Sequence, residues 1–118
     1  MILMTEPTVI QIIVSPDFQA QTRKLGKRYR SIRTDLQPLL NDIQSGNFMG
    51  DRLTDTGAII FKVRLKNSDI QKGKSGGYRV IYQLRDNTCV LLLVIYSKSD
   101  QEDVSTDQIR AIIAAFDE

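Results

Sequence analysis

Several residue types that often carry enzyme chemistry are scarce or missing in this chain of 118 residues. It contains no histidine, which removes the most frequent general base of enzymes and leaves no Cys/His ligand set for zinc. Its one cysteine, Cys89, excludes a disulfide within the chain. We therefore expect no metal and no other cofactor, and proton transfer would fall to other side chains.

Long apolar runs are missing as well. No segment approaches the length of a membrane span. The start, MILMTEP, has no basic residues ahead of its short apolar run, unlike a signal peptide. Whether translation starts at Met1 or at Met4 is left open by the sequence. We expect a cytoplasmic protein and, from its length, one domain over residues 1–118.

Acidic residues are scarce in the middle of the chain. Residues 23–85 contain 14 Lys and Arg against five Asp and Glu, although the net charge of the whole chain is only +2. A distribution of this kind indicates either one face that binds a polyanion or a solvated charged surface.

The stretch KGKSGGYRVIY, residues 72–82, contains the Gly-Lys-Ser of a nucleotide-binding loop, but its spacing excludes one. A P-loop requires glycine where this chain has Ser68, and it opens a helix. The residues that follow, Tyr78–Leu84, are rich in β-branched and aromatic types and predict a strand. The stretch is therefore a basic loop leading into a strand. Gly76 and Gly77 either let the backbone approach a ligand or supply a turn or bulge.

The hydrophobic pattern predicts an α+β fold in the order βααβββα, with a helical hairpin and a C-terminal helix packed on a mostly antiparallel sheet. Four segments have the short apolar or alternating pattern of strands. These segments are Val9–Val14, Ile59–Lys66, Tyr78–Arg85 and Val90–Tyr96. Only Asp86-Asn87 and two further residues separate the last two, which predicts a hairpin.

Helices are predicted after the first strand and at the C-terminus. Ser15-Pro16-Asp17 is typical of a helix start, and apolar residues then recur at helical spacing as far as Ile43. This pattern predicts helices over about 16–27 and 30–45, or one long helix, with Gly46 as a C-cap. Ser105-Thr106-Asp107-Gln108 is a capping-box sequence that predicts the start of the last helix.

Cations alternate with apolar residues along two of the predicted strands. Lys62, Arg64 and Lys66 share one face of their strand, and Arg79 and Arg85 share the polar face of the next. Like charges at this spacing repel, so the pattern favours phosphate as a ligand. We predict that Lys62, Arg64 and Arg79 converge on one surface with the glycine-rich loop at its rim. The residues predicted to bind RNA around this surface are Lys66, Lys72, Lys74 and Arg85.

Three segments, IIFKVRL, GKSGGYRVIY and LLLVIYSKSD, resemble in this order the RelE/HigB-like toxins of bacterial type II toxin–antitoxin pairs. The resemblance extends over nearly the whole chain. It implies a small α+β domain that acts as an endoribonuclease on mRNA, typically in the ribosomal A site. The partners it implies are mRNA, the ribosome and a cognate antitoxin that keeps the toxin silent by covering the basic face or an adjacent groove.

The resemblance also implies site residues. Lys62 and Arg64 match the basic pair of the family, and Arg79 matches the arginine of its Gly-Tyr-Arg strand. Lys98 matches a lysine at the end of the last strand. Some members have an arginine and a tyrosine at two further places, which here are Ser99 and Ser105.

RNA cleavage without a metal uses the 2′-OH as nucleophile on the adjacent phosphate. Neighbouring cations are expected to lower the pKa of Lys62 and make it the base, while Arg64 and Arg79 stabilise the phosphorane. Lys98 or a tyrosine would then protonate the leaving group, although Tyr96 and the other strand tyrosines are interpreted as core residues. Two other functions stay open: a ParE-like toxin that inhibits DNA gyrase, and a catalytically silent RNA-binding module.

Overall fold

The computed structural model describes residues 9–70, 76–101 and 103–117. Within these ranges three helices pack on a five-stranded sheet, which confirms the predicted α+β class. The strands are β1 (Gln11–Val14), β2 (Asp51–Leu53), β3 (Ile60–Leu65), β4 (Tyr78–Asp86) and β5 (Cys89–Ser97). The helices are α1 (Pro16–Gly26), α2 (Ile32–Gln44) and α3 (Thr106–Phe116).

The sheet has the strand order β1–β5–β4–β3–β2. β1 runs parallel to β5, and the other neighbouring pairs are antiparallel. β5 is buried from Val90 to Ser97, as its apolar residues on both faces predicted for a central strand. β4 and β5 form the predicted hairpin.

The helical boundaries follow from capping residues. The Ser15 hydroxyl accepts a hydrogen bond from the Phe18 N–H at 3.0 Å and donates one to the Leu93 carbonyl at 2.8 Å, which fixes the start of α1 against β5. Gly46 follows α2 with a φ of +84°, the left-handed conformation that ends many helices. The hairpin of two helices is confirmed over the single long helix. None of the helices in the described ranges has both the length and the apolar character needed to cross a bilayer.

The short strand β2 was missed by the sequence pattern. It pairs antiparallel with Ile60–Lys62 at the sheet edge, and its three residues are too few to show a period of two. Gly50, immediately before it, has a φ of +105°, and a Cβ there would lie 2.5 Å from the Lys62 carbonyl oxygen. Glycine therefore lets this segment approach the backbone of β3.

Two apolar clusters lie on opposite faces of the sheet. α1 and α2 cover one face, where Leu36 and Val80 belong to the larger cluster. α3 covers the other face, where Ile109 packs with Ile81 and Leu93. This second face, the α3 face, also carries the polar side of β3.

Candidate active site on the α3 face

A row of polar side chains crosses three strands on the α3 face. Arg64 of β3 lies opposite Arg79 of β4, and Arg79 lies opposite Tyr96 of β5. Lys62 lies two residues before Arg64 and therefore projects from the same face. Lys62, Arg64 and Arg79, the cationic cluster, thus come together as the alternation along the strands predicted.

Arg79 is the most buried member of the cationic cluster, with only 5% of its surface exposed. Its guanidinium donates a hydrogen bond to the Tyr78 carbonyl at 3.3 Å. Burial lowers the pKa of Arg79, and the neighbouring charge of Arg64 lowers it further, against an opposite effect of Tyr96. Like charges opposite each other in a sheet are destabilising, so this pair is suited to an anionic ligand.

Lys62 has a carboxylate partner that the sequence pattern did not reveal. Its Nζ lies 2.8 Å from Oδ1 of Asp103, in the segment before α3. Burial is the largest single influence on the Lys62 pKa and lowers it, but Asp103 and Tyr96 together outweigh it, so the pKa is raised. The expected lowering of the Lys62 pKa is therefore wrong. Asp103 lies 41 residues further along the chain, and no spacing rule links the two.

Asp103 also connects the cationic cluster to Lys98. The hydrogen bond from Lys62 is the main cause that lowers the pKa of Asp103, followed by a hydrogen bond from the Val104 N–H and by the charges of Lys62 and Lys98. Asp103 is therefore ionised at neutral pH. Lys98 directly follows β5 and is partly buried, and its backbone N–H donates to the Gly77 carbonyl at 2.9 Å.

Gly77 is required by packing at the start of β4. A Cβ at this position would lie 2.0 Å from the Leu65 carbonyl oxygen of β3. The space that a side chain would need is therefore occupied by the neighbouring strand. Of the two interpretations of the glycine pair, this contact favours a structural role for Gly77 over close approach of a ligand.

Two of the predicted RNA-binding residues lie away from the cationic cluster. Lys66 is exposed beyond the end of β3 and lines a groove of about 460 Å³ beside α2. Arg85 lies six residues after Arg79 on β4, roughly 20 Å away at 3.3 Å per residue. It pairs with Asp117 and lies over the Phe116 ring at 5.4 Å.

Most of the glycine-rich loop lies outside the residues that the structure describes. The predicted RNA-binding residues Lys72 and Lys74 lie outside the described residues. Their place at the rim of the cationic cluster therefore stays a prediction.

The model of one protein family, the RelE toxin of the RelE/RelB toxin–antitoxin system, matches residues 18–116. The chain belongs to the RelE toxin family. The match extends from α1 to the end of α3 and includes the whole cationic cluster. RelE toxins act in pairs with an antitoxin and are generally RNA-cleaving enzymes. A search of the curated proteins found no match.

In this RelE-family toxin, Ser99 and Ser105 have local structural contacts. The Ser99 hydroxyl shares a hydrogen bond of 2.8 Å with that of Ser97. The Ser105 hydroxyl accepts from the Gln108 N–H at 3.2 Å, as half of the capping box that starts α3. The predicted capping box is confirmed, and Ser105 is engaged at the helix end.

Tyr96 lies opposite Arg79 and belongs to the apolar cluster under α3, which agrees with its interpretation as a core residue. Its ring is buried, yet its hydroxyl oxygen has no hydrogen-bond partner among the residues that the structure describes. The alternation along β5 could have identified its place beside Arg79. That signal was hidden because both faces of β5 are apolar and because the pairing with β4 shifts between Ile81 and Tyr82.

A second groove, of about 500 Å³, adjoins the end of β5 in the RelE-family toxin. Lys24, Lys27 and Arg28 line it from α1 and the residues that follow. Asp100 lies on its other side and forms an ion pair with Arg28. Sequence reasoning counted these cations in the basic middle of the chain but did not place them beside Tyr96.

Proposed function

We propose that this RelE-family toxin is an endoribonuclease that cleaves mRNA by attack of the 2′-OH on the adjacent phosphate. One observation carries the proposal. A buried Arg79 lies opposite Arg64 and beside Lys62, on a sheet face that leaves Arg64 exposed. Three cations placed together in this way match a phosphate that gains negative charge during the reaction.

We assign to the two arginines the stabilisation of the transition state. Attack of the 2′-OH produces a phosphorane with more charge on its oxygens than the starting diester has. Arg64 and Arg79 present planar guanidinium groups that bind such oxygens bidentately. Because Arg79 is buried, water screens its interaction with the phosphorane only weakly. Its guanidinium is also held in place, so it need not rearrange as charge develops.

We assign to Lys62 the binding of the phosphate through its positive charge, and not the abstraction of a proton. A lysine with a raised pKa is protonated at neutral pH and cannot take a proton from the 2′-OH. The substrate phosphate would replace Asp103 as the anion beside its ammonium group. Lys98, the next lysine along this side of the site, is assigned to protonation of the leaving 5′ oxygen, and the proton of the 2′-OH passes to water.

The groove beside β5 is assigned to the RNA that flanks the cleaved bond. It adjoins Tyr96, and the cations Lys24, Lys27 and Arg28 along it would contact backbone phosphates. We propose the ribosome as the place of encounter because the family resemblance implies it.

The antitoxin is proposed to occupy the groove between α2 and the outer end of β3. β2 pairs only with Ile60–Lys62, so Val63–Leu65 has no strand partner on that edge among the described residues. A strand or amphipathic helix of the antitoxin would fit an edge of this kind. Its binding would cover Arg64, which lines the same groove and belongs to the cationic cluster.

Induction in cells followed by primer extension on translated mRNA tests the proposal. New 5′ ends are expected with the wild-type chain and not with Arg79→Ala. Arg85→Ala is the matched control, since it removes the same charge from the same strand roughly 20 Å away. If the wild type arrests growth without new 5′ ends and inhibits gyrase in a relaxation assay, the toxin is of the ParE type and the proposal is wrong.

A further inference from the structure

The linker between β5 and α3 carries two carboxylates that contact cations on two different surfaces. The structure describes residues 98–101 and 103–105 of this linker. Oδ1 of Asp103 lies 2.8 Å from Nζ of Lys62, in the cationic cluster. Asp100 forms an ion pair with Arg28, in the groove beside β5. One short segment therefore places a negative charge on both surfaces that we assign to RNA.

The β5–α3 linker is anchored at both ends. At its start, the Lys98 N–H donates to the Gly77 carbonyl at 2.9 Å, and at its end Ser105 forms the capping box of α3. Asp100 and Asp103 are three residues apart, so their Cα atoms are separated by at most about 11 Å. Because the ends are fixed and the two carboxylates are close in the chain, we expect displacement of one carboxylate to move the other.

Both ion pairs are open enough to water for an RNA phosphate to replace the carboxylate. The side chains of Arg28 and Asp100 are 52% and 42% exposed, and 70% of the Asp103 side chain is exposed. Exposed pairs of this kind are weak, so each can exchange its anion without loss of the fold. A carboxylate on the same chain nevertheless stays close to its cation and competes with any anion that arrives from solution.

We propose that the β5–α3 linker is autoinhibitory: in the free toxin its two carboxylates occupy the places of two RNA phosphates, and both leave together when RNA binds. This inference rests on the proposed function and adds control of access to the same site. It has a specific consequence. A ligand that contacts only the cationic cluster must break the distant Arg28–Asp100 pair as well as the Lys62–Asp103 pair.

Binding of a dinucleotide tests this consequence. A dinucleotide with a 2′-deoxy first sugar cannot be cleaved through the 2′-OH, and its single phosphodiester can replace only one carboxylate. Its affinity is measured by NMR titration at one fixed salt concentration. Loss of binding in Arg79→Ala verifies that it binds at the cationic cluster. We expect Asp103→Asn and Asp100→Asn each to raise the affinity by up to about 5-fold, the ceiling for an exposed pair, and the double variant by the product.

Two further variants separate release of the linker from a general effect of charge. Asp117→Asn removes an equally exposed carboxylate that pairs with Arg85, and the dinucleotide affinity should stay at the wild-type value. Arg28→Gln breaks the Arg28–Asp100 pair from the other side and removes a positive charge. Release of the linker predicts a gain of up to about 5-fold in dinucleotide affinity, whereas a general effect of charge predicts a loss.

The inference is wrong if Asp103→Asn alone raises the dinucleotide affinity while Asp100→Asn and Arg28→Gln do not, because the two carboxylates then act independently. The binding measurement does not depend on cleavage. Tighter binding by the linker variants supports the inference even if the wild type cleaves no RNA, a result that would overturn the proposed function alone. Cleavage by the wild type with unchanged affinities in the linker variants overturns the inference alone. Absence of binding by every protein in the series overturns both.

Discussion

Asp103→Asn isolates the role of the Lys62 counter-ion because it removes the charge and keeps an oxygen for the Val104 N–H. The side chains of Lys62 and Asp103 are 24% and 70% exposed, so the pair belongs to the solvent-screened class that contributes at most about 1 kcal/mol. The variant should lose no more than that in free energy of unfolding, or roughly 3 to 6 °C in Tm. RNA affinity should rise by up to about 5-fold, because the same interaction no longer competes with phosphate.

If the Lys62–Asp103 ion pair stabilises the fold, the free energy of unfolding should depend on pH. The lowered pKa of Asp103 means that its contribution is present above its ordinary pKa of 3.8 and is lost as the pH falls below that value. The raised pKa of Lys62 means that its contribution is present below 10.5 and is lost as the pH rises above that value. Stability is measured by urea unfolding of the wild type and of Asp103→Asn across this pH range. RNA affinity is measured for both proteins at neutral pH with a non-cleavable RNA. Weaker RNA binding by Asp103→Asn would refute the displacement of Asp103 by phosphate.

Three other substitutions test separate parts of the account. Gly77→Ala should destabilise the fold by about 2 to 3 kcal/mol in urea unfolding, because its Cβ would meet the Leu65 carbonyl; a stability equal to wild type would contradict the packing argument. Lys72→Ala with Lys74→Ala should reduce the slope of log K against log salt for RNA by roughly 0.7 per lost contact, and an unchanged slope would mean solvated lysines. Lys62→Arg should cleave within about 10-fold of wild type, whereas a 100- to 10,000-fold loss would restore Lys62 as a proton-transfer residue.

The elements with strong local signals were predictable from the sequence. The start of α1 at Ser15-Pro16 and the capping box at Ser105 are fixed by hydrogen bonds between residues three positions apart. The local sequence is therefore enough to predict both helix starts. β3 and β4 show a clear period of two, which was enough to bring the cationic cluster together. β2 has only three residues and depends on its contact with β3, which no local pattern records.

The contacts that tune the site could not be predicted in the same way. The Lys62 pKa depends on Asp103, a residue in an irregular segment brought close only by the packing of α3 on the sheet. Tyr96 looks like any core aromatic until the register of β4 and β5 places it beside Arg79. Arg85 shares its strand face with Arg79 in the sequence pattern, but distance along β4 separates the two.

Cleavage of an RNA with one 2′-deoxy nucleotide at the cut position tests the central claim most directly. The purified toxin is incubated with this RNA and with its all-ribose counterpart, with and without programmed ribosomes. We predict that the ribose RNA is cut to a 2′,3′-cyclic phosphate or 3′-phosphate end, that the deoxy RNA stays intact, and that Arg79→Ala cuts the ribose RNA at least 100-fold more slowly. Cleavage of the deoxy RNA at the same position, or an Arg79→Ala rate equal to wild type, would contradict the account.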